Sequence, residues 1–180
     1  MRKESSNSGF TLIEVVIVIV LLSVLAAKAL PIFLDLKGPA RASVLEGVAG
    51  GFATGVAIVK SQWVAKGGGD AVYIDGVAFY VNEHGWPDNI SNESVSFSSQ
   101  TADECEEVFQ YVLQSPPKTT ISSAADDRKV AKFAVHVVDG ASSDSCRYEL
   151  IVGAIEPPTA EMYYFDYNLM TGRVDTHLPE

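Results

Sequence analysis

The longest apolar run lies near the amino-terminal end. From Phe10 to Ala27 only Thr11, Glu14 and Ser23 carry polar side chains. At 1.5 Å per residue this run makes roughly 27 Å of helix, close to the thickness of a hydrocarbon core. Its Val and Ile content is mediocre for a helix in water, but in lipid the backbone has no other way to satisfy its hydrogen bonds. Pro31 removes one backbone bond and loosens the helix without ending it. Beyond it Leu45, Val48, Phe52, Val56, Val59 and Trp63 recur at intervals of three and four, with Arg41, Glu46 and Lys60 off the stripe. Gly47, Gly50, Gly51 and Gly55 interrupt this half. Each costs about 1 kcal/mol relative to Ala, but small side chains let a bulky neighbour approach. Gly67-Gly68-Gly69 is the stop signal. The pattern predicts one helix of about 55 residues, lipid-facing in its first half and core-facing in its second.

After the glycines the period changes to two. Val72–Ile74 and Val77–Val81 flank Asp75-Gly76, a two-residue hairpin signal. Residues 82–88 read as a turn-rich loop and 91–101 as irregular polar chain. Ala102–Gln114 has helical spacing at Cys105, Val108, Val112 and Leu113, and Pro116-Pro117 stops it. Lys129–Val138 and Arg147–Ala154 read as strands joined by a loop over 139–145. Met162–Tyr167 and Arg173–Thr176 form a last hairpin across Asn168–Gly172. The fold class is therefore α+β: a long amino-terminal helix with an antiparallel sheet packed on its stripe. The organisation predicted is 1–9, a short polar leader; 10–66, the helix, divided at 30/31 into membrane and amphipathic parts; and 67–180, a globular β domain.

Composition narrows the partners. The net charge of −10 would repel phosphate backbones, and no basic patch offsets it, so nucleic acid is excluded. Arg2 and Lys3 before the apolar run keep that end in the cytoplasm, which puts the rest across the membrane. In an exported domain Cys105 and Cys146 read as one disulfide, tying the 102–114 helix to the 147–154 strand; in a reducing cytoplasm they would be two buried thiols.

Catalytic and metal patterns are thin. There is no Gly-x-Ser-x-Gly elbow, and His84, His136 and His177 lack ligand spacing, with His136 reading as a half-exposed sheet residue. Asp166–Gly172 lacks the third acidic ligand and closing Glu of a calcium loop and reads as a hairpin turn. Asp139 and Asp144 read as solvated loop residues. Trp86 and Tyr163–Tyr164 are of the type that stacks on sugars, but packing under loops is the favoured reading. No enzyme activity, metal or cofactor is expected.

Glu14 does not fit a plain membrane anchor. A carboxylate in lipid costs at least a few kcal/mol and needs a partner. Lys28 lies about four turns away on the same helix, so the positive charge has to come from another copy.

Gly9-Phe10-Thr11-Leu12-Ile13-Glu14, after a short basic leader and before the apolar run, resembles the prepilin signal of type IV pilins and pseudopilins. The resemblance implies cleavage between Gly9 and Phe10 by the prepilin peptidase and N-methylation of Phe10. It also implies assembly through Phe10, Thr11 and Glu14, with Glu14 facing the amino terminus of a neighbouring Phe10. Partners would be other pilin subunits and the inner-membrane assembly machinery. A narrower likeness, in Ala29–Leu36, Ala40-Arg41-Ala42, Gly47–Gly50 and Gly85-Trp86-Pro87, is to pilins of the mannose-sensitive haemagglutinin (MSHA) type. It implies a subunit, either the major pilin or an MshB-like accessory one, of a surface filament for adhesion, attachment and biofilm formation on an extracellular surface or glycan. The competing readings are a pseudopilin of a type II secretion system and an exported soluble domain released at Ala27-Lys28-Ala29.

Overall fold

The computed structural model describes residues 10–91, 96–153, 155 and 159–179. Two compact units divide it, Met1–Ala40 and Arg41–Glu180, and each is described by itself. The first contains helix α1, Leu12–Asp35, and the opening residues of α2, Lys37–Lys66. Pro31 lies inside α1 without ending it. The single helix predicted is instead two, with a turn at Leu36. Leu36 N–H still donates to Ile32 O (3.3 Å) and Ala40 N–H to Leu36 O (3.1 Å). Pro39 supplies the physical reason for the break, because it has no N–H for the Asp35 carbonyl; it sits in the first turn of α2, where proline is tolerated.

In the second unit α2 carries the stripe into the core: Leu45, Ala49, Phe52, Val56 and Val59 are buried. The helix ends as its glycines require. Gly67, with φ 81°, turns left-handed. Its N–H donates to Val64 O, and that of Gly68 to Trp63 O, pairing two terminal carbonyls.

A three-stranded sheet follows: β1 (Ala71–Ile74), β2 (Val77–Val81) and β3 (Pro87–Asn89), in that order and antiparallel. Asp75 and Gly76 turn the first hairpin with φ 49° and 85°, as a type I′ loop requires. Strand β3 lies in what the residue pattern assigned to loop; three residues including a proline are too few to show alternation. Helix α3, Ala102–Val112, is capped by a reciprocal Thr101–Glu104 box and ends before the prolines.

The second sheet has the order β4-β5-β6-β7-β8, over Thr119–Thr120, Phe133–Val138, Ser145–Leu150, Tyr163–Asn168 and Val174–His177. It is mixed: β4 runs parallel to β5, and the other pairs are antiparallel. Its parallel pair needs a crossover, and the short helix α4, Ala125–Val130, supplies it. Residues 129 and 130 are thus helix where a strand was predicted, with Asp126 and Asp127 at the start of α4 and Arg128 and Lys129 at its end, matching its dipole. The strand runs from Phe133, but burial does not alternate along it: Phe133, Ala134 and Val135 are all buried and the next three residues are half-buried. Strand β6 begins at Ser145 and ends at Leu150, earlier at both ends than the residue pattern predicted.

One core joins the stripe of α2 to α3 and β5–β7. Phe52 is its centre, with ring centroids 5.1 Å from Tyr148, 5.3 Å from Tyr167 and 5.5 Å from Phe165. A smaller cluster sets Val59 against Val72, Phe79 and Val81.

Candidate functional site

The large apolar side chains of α1 have nothing over them: from Phe10 to Phe33 those described are between 40 and 83 % exposed. The span Leu12–Phe33 is long and apolar enough to cross a membrane, and none of its most apolar window is buried. Helix α2 passes the same length and composition test, but its stripe lies in a protein core. Along α1 the Ser23 and Glu14 side chains are hydrogen-bonded within the chain. Ser23 Oγ donates to Ile19 O (2.6 Å), which hides a hydroxyl that lipid would not solvate.

Glu14 is exposed and bonded within its own helix. Its Oε2 accepts from Thr11 N–H (3.3 Å) and Thr11 Oγ1 (3.2 Å), while Glu14 N–H donates back to Thr11 Oγ1 (3.3 Å). This is a capping box, Thr-x-x-Glu, at the start of α1. The sequence signature was present in Thr11-Leu12-Ile13-Glu14, and reasoning from the membrane charge alone missed it. The carboxylate therefore sits at the uncovered tip of an apolar helix, next to Phe10, which is 82 % exposed. Gly9 lies outside the described residues.

The remaining candidates are structural in character. Cys105 and Cys146 form a disulfide between α3 and β6, with Cα atoms 5.6 Å apart. Trp63 and Trp86 pack under loops: Trp63 Nε1 donates to Gly69 O, Lys60 Nζ lies over both indoles, and Lys60 bonds His84 O. Tyr164 is stacked on His177 with centroids 4.5 Å apart, and Arg147 lies 3.9 Å over its ring. A cavity of about 430 Å³ is lined by Trp63, Asp70, Asn82, Glu83, Ser96 and Phe97 among others. Among the described residues no group of three or more His, Cys, Asp or Glu side chains is placed to hold a metal ion.

Three buried polar groups were not legible beforehand. Asp144, read as solvated, is 5 % exposed; its Oδ2 accepts from Gln100 N–H (3.1 Å), and its own N–H donates to Phe97 O (2.7 Å). Arg128 of α4 makes a two-pronged bond to Glu149 of β6 (3.0 and 2.6 Å), with His136 Nε2 3.3 Å from the same carboxylate. Burial pulls the Glu149 carboxyl up, but His136 and Arg128 together outweigh it and hold it below its ordinary value. Asp88 of β3 is 1 % exposed. Each group depends on partners distant in sequence: the β5–β6 register sets His136 near Glu149, α4 brings Arg128 to the same carboxylate, and Gln100 reaches both Asp88 and Asp144.

Comparison with known proteins bears on the first helix. Residues 5–27 match the family described as the prokaryotic N-terminal methylation motif. No curated protein and no solved structure matches the chain. The long first helix followed by a mostly antiparallel sheet is consistent with the type IV pilin fold. Together the matched motif, the uncovered apolar helix and this α+β order support a type IV pilin or pseudopilin family for the chain.

Proposed function

We propose that this protein is a subunit of an MSHA-type type IV pilus, used for adhesion, surface attachment and biofilm formation. The observation that carries the reading is a carboxylate, Glu14, at the uncovered tip of an apolar helix that matches a methylation motif. On this reading residues 1–9 are a leader that the prepilin peptidase removes after Gly9, and Phe10 becomes the methylated first residue. Helix α1 serves first as a single-pass inner-membrane anchor and then as the polymerisation element. The domain from residue 67 faces the periplasm and later the filament surface. Such subunits are structural rather than enzymatic.

Phe10, Thr11 and Glu14 would be the assembly residues. When subunits meet in lipid, the new α-amino group of a neighbouring Phe10 offers the positive charge that Glu14 lacks on its own helix. The motif is shared with pseudopilins, so a type II secretion subunit is the nearest second reading.

Mass spectrometry of the mature chain tests the proposal. The expected amino terminus is methyl-Phe10; a chain beginning at Leu30 would overturn it in favour of an exported soluble domain. Glu14→Ala subunits are expected to be processed but to yield few filaments, and normal piliation by that variant would reject the assembly role.

A further inference from the structure

Among the described residues two buried acceptor oxygens lack a donor: Asp88 Oδ1 and Gln100 Oε1. Asp88 is 1 % and Gln100 8 % exposed, so water does not serve either group freely. The two side chains belong to one junction. Gln100 Nε2 donates to the Asp88 backbone carbonyl at 2.8 Å, which holds the amide oxygen of the same group beside β3. Asp88 Oδ2 takes Asn89 Nδ2 at 3.2 Å, and the Ser96 N–H also serves this carboxyl. A buried acceptor left without a donor is destabilising, and an uncompensated buried anion is more so.

We propose that Asp88 is protonated in the folded protein and acts as a pH-sensitive latch, its carboxyl O–H donating to Gln100 Oε1 and holding β3 against the start of α3. One proton converts an orphan acceptor into a donor and satisfies both oxygens at once. The surroundings agree. From α3, Glu104 adds negative charge, and Glu107 accepts the Ile90 N–H. From the loop before β6, Asp144 holds Gln100 N–H. From β7, the Tyr167 hydroxyl donates to Pro87 O at 3.0 Å. These titratable neighbours are acids or a phenol, and none is a cation. The Asp88 carboxyl is raised from 3.8 to about 7, because burial, with a smaller push from the charge of Glu104, outweighs the downward pull of the Asn89 and Ser96 bonds. The sign follows. A carboxyl raised in the folded state stabilises the fold fully below its unfolded value, and that stability drains as pH rises through the folded value.

The test is equilibrium unfolding of the full chain in mild detergent, followed by fluorescence of Trp63 and Trp86 from pH 4 to 8. Asp88→Asn is the comparison, since its amide carries a permanent donor for Gln100. Relative to that variant, the wild-type unfolding constant is expected to rise by about tenfold per pH unit between about 4 and 7. Protection factors at Asn89 and Ile90, corrected for the intrinsic pH dependence of exchange, should fall over the same range in the wild type only. An identical pH dependence in both proteins would overturn the latch. So would calcium stabilising the wild type at pH 8 through Asp88, which would assign the site to a cation. If Asp88→Asn does not fold, carboxyl carbon NMR of the wild type decides: a midpoint near neutrality supports the latch, and one in the ordinary carboxylate range rejects it.

Discussion

At the residue scale, Glu14 carries two separable duties. Its hydrogen bonds to Thr11 start the helix, and its charge is free to serve a neighbour. Gln at this position keeps the capping geometry and removes the charge. Glu14→Gln is therefore expected to insert and be processed like the parent while assembling as poorly as Glu14→Ala, read out by counting pili and by peptidase digestion. Filaments restored by Gln would make capping the essential role. The glycines of α2 divide in the same way. A Cβ at Gly55 would lie 2.6 Å from the Val112 carbonyl oxygen at the end of α3, whereas at Gly50 nothing lies within 4 Å. Gly55→Ala should cost about 1–3 kcal/mol through overpacking against backbone. Gly50→Ala should stabilise by up to about 1 kcal/mol through helix propensity. Urea unfolding of the two variants measures both, and equal effects would contradict the packing assignment.

At the element scale, α3 depends on a local capping box, one covalent tie and a tertiary hydrogen bond. Its capping box satisfies the first turn, and Thr101→Ala should cost about 1 kcal/mol. The Cys105–Cys146 bond closes a loop of sequence separation 41 between α3 and β6. Chain-entropy reasoning assigns such a closure about 4 kcal/mol at most. Melting with and without reductant, compared with a Cys105→Ser/Cys146→Ser double variant, is the check. Reduced parent and double variant should melt together, well below the oxidised protein. The Tyr148 hydroxyl adds a bond to Cys105 O (2.8 Å), so α3 keeps its place on the sheet after reduction. Loosening rather than unfolding is the expected consequence.

At the scale of the whole molecule, the Arg41–Glu180 unit is clasped across its second sheet by buried charge. Arg128 of α4, Glu149 of β6 and His136 of β5 form one cluster, with Arg128 1 % and Glu149 0 % exposed. Deleting one member strands the other in a dry site, so Arg128→Ala should cost about 3–5 kcal/mol. Arg128→Ala paired with Glu149→Ala should cost less than the sum of the two single changes, as thermal unfolding would reveal. The pH dependence runs opposite to that of Asp88. Because the Glu149 carboxyl is held down in the folded state, its contribution is present above the ordinary carboxylate value and is lost as pH falls below it. Stability should therefore decline from both sides: in acid through Glu149, and as pH rises from about 4 to 7 through Asp88.

Local sequence determined the first helix, its polar exceptions, the glycine stop after Lys66, the Asp75-Gly76 hairpin and the start of α3, because each depends on residues within a turn or two. The apolar span and its carboxylate, and with them the candidate site, were legible for the same reason. Tertiary structure alone decided the short β3, the parallel β4 with its α4 crossover, and the burial of Asp88, Asp144, Arg128 and Glu149. Two- and three-residue strands carry no period, and a charged residue announces burial only when partners 12 to 44 positions away arrive beside it, as Gln100 does for Asp88 and for Asp144. The glycines mark the boundary: their effect on helix propensity is local, but whether a side chain would clash at Gly55 or meet open space at Gly50 depends on where α3 comes to rest.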